Sequence, residues 1–76
     1  MDSQNQNNES WIQRMVLEKS ELDVKVEALR SFLGSSKADA LPMRAQADLK
    51  EQLYFMEGYA WVLQRRIRDS KPQTNI

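Results

Sequence analysis

The chain has 76 residues, 11 basic and 11 acidic side chains, and neither cysteine nor histidine. That length allows one domain, and without cysteine or histidine neither a disulfide scaffold nor a zinc site of the usual Cys/His kind can form. Zero net charge argues against general binding of nucleic acid, duplex included, which calls for a basic excess; a compact anion in a local basic pocket is still permitted.

Residues 1–9 are polar and rich in Asn and Gln, with no basic segment leading into an apolar run, so they do not read as a secretory signal. Having nothing to bury, they are expected to be a flexible N-terminus. A long amphipathic helix is then predicted from Ser10 to Leu33. Ile12, Met15, Lys19, Leu22, Val26, Leu29 and Leu33 recur at alternating spacings of three and four, the pattern of a helix-on-helix seam with Lys19 as its one polar interruption. Ser10 with Gln13 fits a capping box, and Gly34 suits a left-handed C-terminal stop. Residues 34–41 read as a short connector. Leu41 precedes a proline and is expected to be extended, while Pro42 suits the first position of a second helix over 42–69. Its seam is Leu49, Leu53, Met56, Ala60, Leu63 and Ile67, widened on one side by Phe55, Tyr59 and Val62, with Tyr54 and Trp61 on another flank. Pro72 limits continuation, and residues 70–76 are expected to be a flexible tail. No apolar run approaches the ~20 residues that span a bilayer, so no membrane partner is expected.

The predicted fold is all-α: an antiparallel hairpin of two long helices forming one domain over 10–69. Two helices bury only one stripe each, and a lone hairpin of this size is marginal. Trp11, Phe32, Tyr54, Phe55 and Trp61 cannot all enter one seam, so apolar side chains are left on outer faces. The expected solution is a homo-oligomeric bundle, minimally a dimer, with room for a larger ring or a trimer of dimers.

Catalysis is poorly supported. General acid–base or nucleophilic chemistry would lack His and Cys, and the only glycines, Gly34 and Gly58, are too far apart for a phosphate loop. Glu18, Glu21, Glu51 and Glu57 read as solvated helix faces with neighbours such as Glu21 to Lys25. No metal or cofactor is expected. Trp11, Glu18 and Lys25 share one face at intervals of seven, outside the seam. Their plain reading is a tryptophan packed on a neighbouring subunit and a surface lysine; the functional reading is a base-stacking platform plus a phosphate contact. Trp11 and Lys25 lie about 21 Å apart along one helix, so a small ligand touching both would need them from different subunits. Arg65, Arg66 and Arg68 complement a helix C-terminus, and at most one or two of them can face a ligand, where an arginine fork suits phosphate. Gly58 sits inside the second helix at a cost of about 1 kcal/mol against alanine, which suggests close helix or ligand approach. Tyr59 beside it could pack or donate its hydroxyl.

The order Trp11, Arg14, Glu18, Leu22, Lys25, Leu29, Phe32-Leu33, then Leu41-Pro42, Leu49, Gln52-Leu53, Met56, Tyr59, Leu63 and Arg66-Ile67 resembles the anti-CBASS cyclic-nucleotide sponges of phages, including related short helical proteins of crAss-like phages. The resemblance covers about residues 10–69. It implies compact helical protomers assembled into homohexamers in the host cytoplasm. These would sequester cyclic dinucleotides such as cGAMP, and in some members cyclic trinucleotides at separate sites, without cleaving them. A stacking N-terminal aromatic and a helix-one lysine near the phosphates belong to that pattern, and Trp11 and Lys25 occupy those places. Arg65 or Arg66 matches its basic residue near the end of the last helix, and Tyr59 is a further candidate lining residue. The alternative from another class is a structural or adaptor module that oligomerises and binds a protein partner.

Overall fold

A computed structural model describes the backbone of residues 3–70 and the side chains of residues 10–70. The described residues form three helices: α1 over Ser3–Leu33, α2 over Ser36–Asp39 and α3 over Met43–Ser70. The two long helices pack antiparallel along most of their length, and α2 folds the corner between them.

Every residue assigned to the seam is buried or half-buried in the hairpin. Met15, Leu63 and Ile67 form a buried core cluster, with Leu22 packed against it, and Val26 and Ala38 are buried as well. Among the described residues Leu63 alone is wholly shielded from solvent. The polar interruption is handled locally: the half-buried Lys19 ammonium lies 2.6 Å from the Asp23 carboxylate one turn on. Outside the seam several large apolar side chains stay exposed. Trp11, Tyr54, Phe55, Tyr59, Trp61 and Val62 are all exposed, so Phe55, Tyr59 and Val62 do not widen the seam as expected. Phe32 is the aromatic that the hairpin does half-bury.

Several local expectations are corrected. α1 does not start at Ser10. No glycine or proline precedes Gly34, so nothing stops the helix from propagating towards the N-terminus, where each added residue gains a backbone bond. Ser10 is therefore interior, and its hydroxyl accepts from Arg14 at 3.4 Å instead of capping. The stretch expected to be mobile at residues 1–9 lies outside the described residues except for the helical backbone of 3–9, and the expected tail lies outside them beyond Ser70.

Gly34 is not left-handed; no residue described has a positive φ. Ser35 makes the turn instead. It is extended, its hydroxyl donates to the Phe32 carbonyl at 2.6 Å, and its oxygen accepts from the Ala38 amide at 3.4 Å. One serine thus closes α1 and caps α2, turning the expected connector into a helical corner with Ala38 buried beneath it. At the start of α3 the Gln46 side chain donates to the carbonyls of Leu41, at 2.8 Å, and Asp39, at 3.3 Å, tying the corner to the helix after Pro42. The pair expected between Glu21 and Lys25 is absent from the ion pairs of the described residues, whereas Lys19 and Asp23 form one at the same four-residue spacing.

Candidate functional site

The antiparallel packing gives the hairpin two flanks, one on each side of the seam. On the first, α1 presents Trp11, Glu18 and Lys25 at steps of seven, and α3 presents Arg66, Tyr59 and Gln52 at the same steps in the opposite direction. The Arg66 guanidinium lies over the Trp11 indole, 5.2 Å from the ring centroid. One heptad along, the Tyr59 hydroxyl donates to the Glu18 carboxylate across the helices. The same register brings Lys25 level with Gln52 a further heptad on. A seven-residue step is close to two helical turns, or about 10 Å, so the three rungs stay on one face.

The electrostatics of this flank follow from those contacts. Arg66 carries a fixed charge held against a π face, an arrangement that favours stacking over free motion of the side chain. The hydrogen bond to Glu18, helped by desolvation, raises the Tyr59 phenol above its ordinary value and keeps it protonated; Arg66 pulls weakly the other way. Trp11 is 45% exposed, with part of the indole held in the hairpin and the rest open to solvent. Lys25 is exposed and has no ion-pair partner among the described residues.

The second flank is different. Arg30 bridges Glu27 and Glu57 across the helices. Beside this bridge lies an open groove of about 650 Å³ lined by Lys19, Asp23, Trp61, Gln64, Arg65 and Arg68 among others. Here the Arg65 guanidinium stacks over Trp61 at 5.6 Å. Consecutive residues diverge by about 100° around a helix, so Arg65 and Arg66 serve opposite flanks. The structure therefore brings together Trp11, Arg66 and Tyr59 of the expected site residues, leaves Lys25 further along the same flank, and puts Arg65 elsewhere. Glu18 is the residue that sequence reasoning placed on this face but read as a solvated carboxylate, missing its bond to Tyr59. Its signal was the shared heptad step: Trp11 to Glu18 on one helix mirrors Arg66 to Tyr59 on the other.

A family model, Sequestin, matches residues 9–69. The chain belongs to the Sequestin family. The Sequestin match takes in all of α2, nearly all of α3 and every residue of the Trp11 flank, so the cross-helix rungs lie wholly inside the family segment. No curated protein and no solved structure matches the chain. Among the described residues of this Sequestin chain no helix is long and apolar enough to cross a membrane.

Proposed function

We propose that this protein is a phage anti-defence protein that binds cyclic oligonucleotide second messengers and withholds them, uncleaved, from the CBASS effectors of the host cytoplasm. The observation that carries the reading is the half-open Trp11 indole backed by Arg66. One face of the ring is stacked by a cation that also suits phosphate, and the open part offers a surface on which a nucleobase stacks. Lys25 lies further along the same flank as a second phosphate contact. It is too far along α1 to share a small ligand with Trp11 of the same chain, so the site is completed by another copy. Arg66, and not Arg65, is the arginine of this site. The family name, which denotes sequestering, agrees with capture without turnover, as does a sequence with no histidine or cysteine to act as base or nucleophile.

Assembly into a homo-oligomer, a hexamer built from dimers on the resemblance to phage sponges, is part of the proposal. It is supported by a core of few buried side chains and by several exposed aromatics. Calorimetric titration with 3′,3′-linked cyclic GMP–AMP tests the reading. Saturable binding at a fixed ratio to protomer is expected, with fewer ligands than protomers if copies share the site. Absence of heat with that ligand and with a panel of cyclic di- and trinucleotides would sink it. The exposed Tyr54, Phe55 and Trp61 of α3 favour, as second reading, an adaptor module that oligomerises and binds a protein partner. That reading expects assembly with no nucleotide binding.

A further inference from the structure

Gly58 is a residue of α3 that the protomer itself does not explain. A Cβ built on it meets nothing within 4 Å, and its φ is not positive. Neither close packing inside the hairpin nor backbone conformation therefore calls for a glycine in mid-helix, where it weakens the helix. Its surroundings point outward. Tyr54, Phe55, Trp61 and Val62 flank it on the exposed side of α3, 70%, 63%, 62% and 37% exposed. Together with Gly58 they line a shallow concavity of about 530 Å³. Tyr54 and Phe55 are already arranged edge-to-face, with ring centroids 5.4 Å apart.

We infer that two copies of this chain pair through this face, α3 against antiparallel α3, crossing at Gly58 about a two-fold axis. The inference rests on the homo-oligomeric part of the proposed function and names its interface. The residues either side of Gly58 are complementary under that operation. At 100° per residue Phe55 and Val62 lie on one side of Gly58, three before and four after it, and Trp61 and Tyr54 on the other, three after and four before. Across the two-fold each Phe55 therefore meets the valine of the other copy and each Trp61 its tyrosine, pairing a ring with a branched aliphatic on one side and two rings on the other. Glu51 and Arg65 lie seven before and after, so opposite charges meet at both ends of the patch. Both are exposed, and neither has an ion pair among the described residues. A parallel pairing would set Glu51 on Glu51 and Arg65 on Arg65, which is repulsive.

The area is sufficient. An aromatic side chain buries about 150–250 Å² when covered, so the three rings at their present exposure offer about 400 Å² per copy. Two copies bring roughly 800 Å² before Val62 and the stems of Glu51 and Arg65 are added, which reaches the ~1,000 Å² of a specific interface. A missing side chain at the crossing point lets the two backbones approach and the rings interlock around it. An isologous contact of this kind closes on itself and leaves the Trp11 flank uncovered for ligand.

Sedimentation equilibrium of the ligand-free full chain tests the pairing, with circular dichroism as the control for folding. Gly58→Leu has room in the protomer and a better helix former, so helicity is kept or raised. It fills the crossing point and is expected to raise the dissociation constant of the α3 pair at least about tenfold. Glu51→Arg and Arg65→Glu each place like charges together and weaken pairing, and the double exchange restores it to within about threefold of wild type. A wild-type chain that sediments as a monomer overturns both this pairing and the homo-oligomeric reading. An oligomer unmoved by Gly58→Leu, or a double exchange that fails to restore what the single ones lost, overturns the α3 pairing alone.

Discussion

Replacing Trp11 with alanine separates ligand capture from folding, because the indole is divided between the two. About half of its surface is held in the hairpin, roughly 130 Å² of a large aromatic, which at ~25 cal/mol per Å² sets an upper bound of about 3 kcal/mol on the folding cost. The stack with Arg66 adds about 0.5–1 kcal/mol at an exposed site. A domain of this length has ~4–11 kcal/mol of stability to draw on, so the variant is expected to stay helical at room temperature. The open part of the ring carries the binding term: one base stacked on an aromatic contributes about 1–3 kcal/mol, a loss of roughly 5- to 150-fold in affinity on truncation. The assay is calorimetric titration of wild type, Trp11→Ala, Arg66→Ala and the double variant with 3′,3′-linked cyclic GMP–AMP, each checked for helicity and assembled mass. Because Arg66 backs the ring that the base stacks on, the double variant should lose less than the two single losses combined. Unchanged affinity in Trp11→Ala with mass intact would refute the stacking role. An affinity that falls only in step with dissociation of the oligomer would show that the indole is structural.

Three further outcomes are expected. Leu63→Ala empties a fully buried position and should cost about 2–5 kcal/mol of stability in chemical denaturation followed by circular dichroism; a cost under ~1 kcal/mol would contradict the placing of the core. In the folded state Tyr59 is raised above its ordinary value of 10.0 by its bond to Glu18, so the stability it adds is full below that value and disappears as pH rises through the folded one. A titration of tyrosinate absorbance should show a late component that Tyr59→Phe abolishes, and its survival in that variant would refute the assignment. Gly34→Ala should raise stability by about 0.4–1 kcal/mol, since an added Cβ meets only the Ser31 carbonyl at 3.7 Å and the Arg30 carbonyl at 3.9 Å and the backbone is not left-handed. A lowered melting temperature would show that the corner needs the glycine.

The long-range plan of the fold was legible because it depends on periodicity. Ile12 through Leu33 and Leu49 through Ile67 could be assigned to a common seam without coordinates, since the three-four spacing admits one buried stripe per helix. What failed was local or relational. Ser35 reads as loop composition until its backbone is seen to be extended, and only then does its hydroxyl both end α1 and begin α2. Gly34 carried a strong stop signal that the corner did not need. Ser10 offered a cap to a helix that had no reason to stop there. The pairings of the candidate site were hidden for a different reason. Trp11 and Arg66 were each singled out, but which arginine meets the ring depends on the register of two helices, and a one-residue change would have exchanged Arg66 for Arg65. Glu18 looked like one more solvated carboxylate because its partner, Tyr59, is 41 residues away.

The core cluster of Met15, Leu63 and Ile67 sits towards the end of the hairpin remote from the α2 corner. Met15 meets Leu63 across roughly 48 residues of chain, against about 8 in the connector, and closing the longer loop costs about 1.6 kcal/mol more in chain entropy. Connectivity therefore does little to hold the wide end shut, and three side chains supply the clasp. That end also bears Trp11 on one arm and Arg66 on the other. A ligand gripping both would act as a second clasp, and the free energy of capture would appear as resistance of the hairpin to opening, growing with the logarithm of ligand concentration. Amide exchange in the outer turns of α1 and α3 would slow on binding, while the corner, already tied by Ser35 and Gln46, would change little.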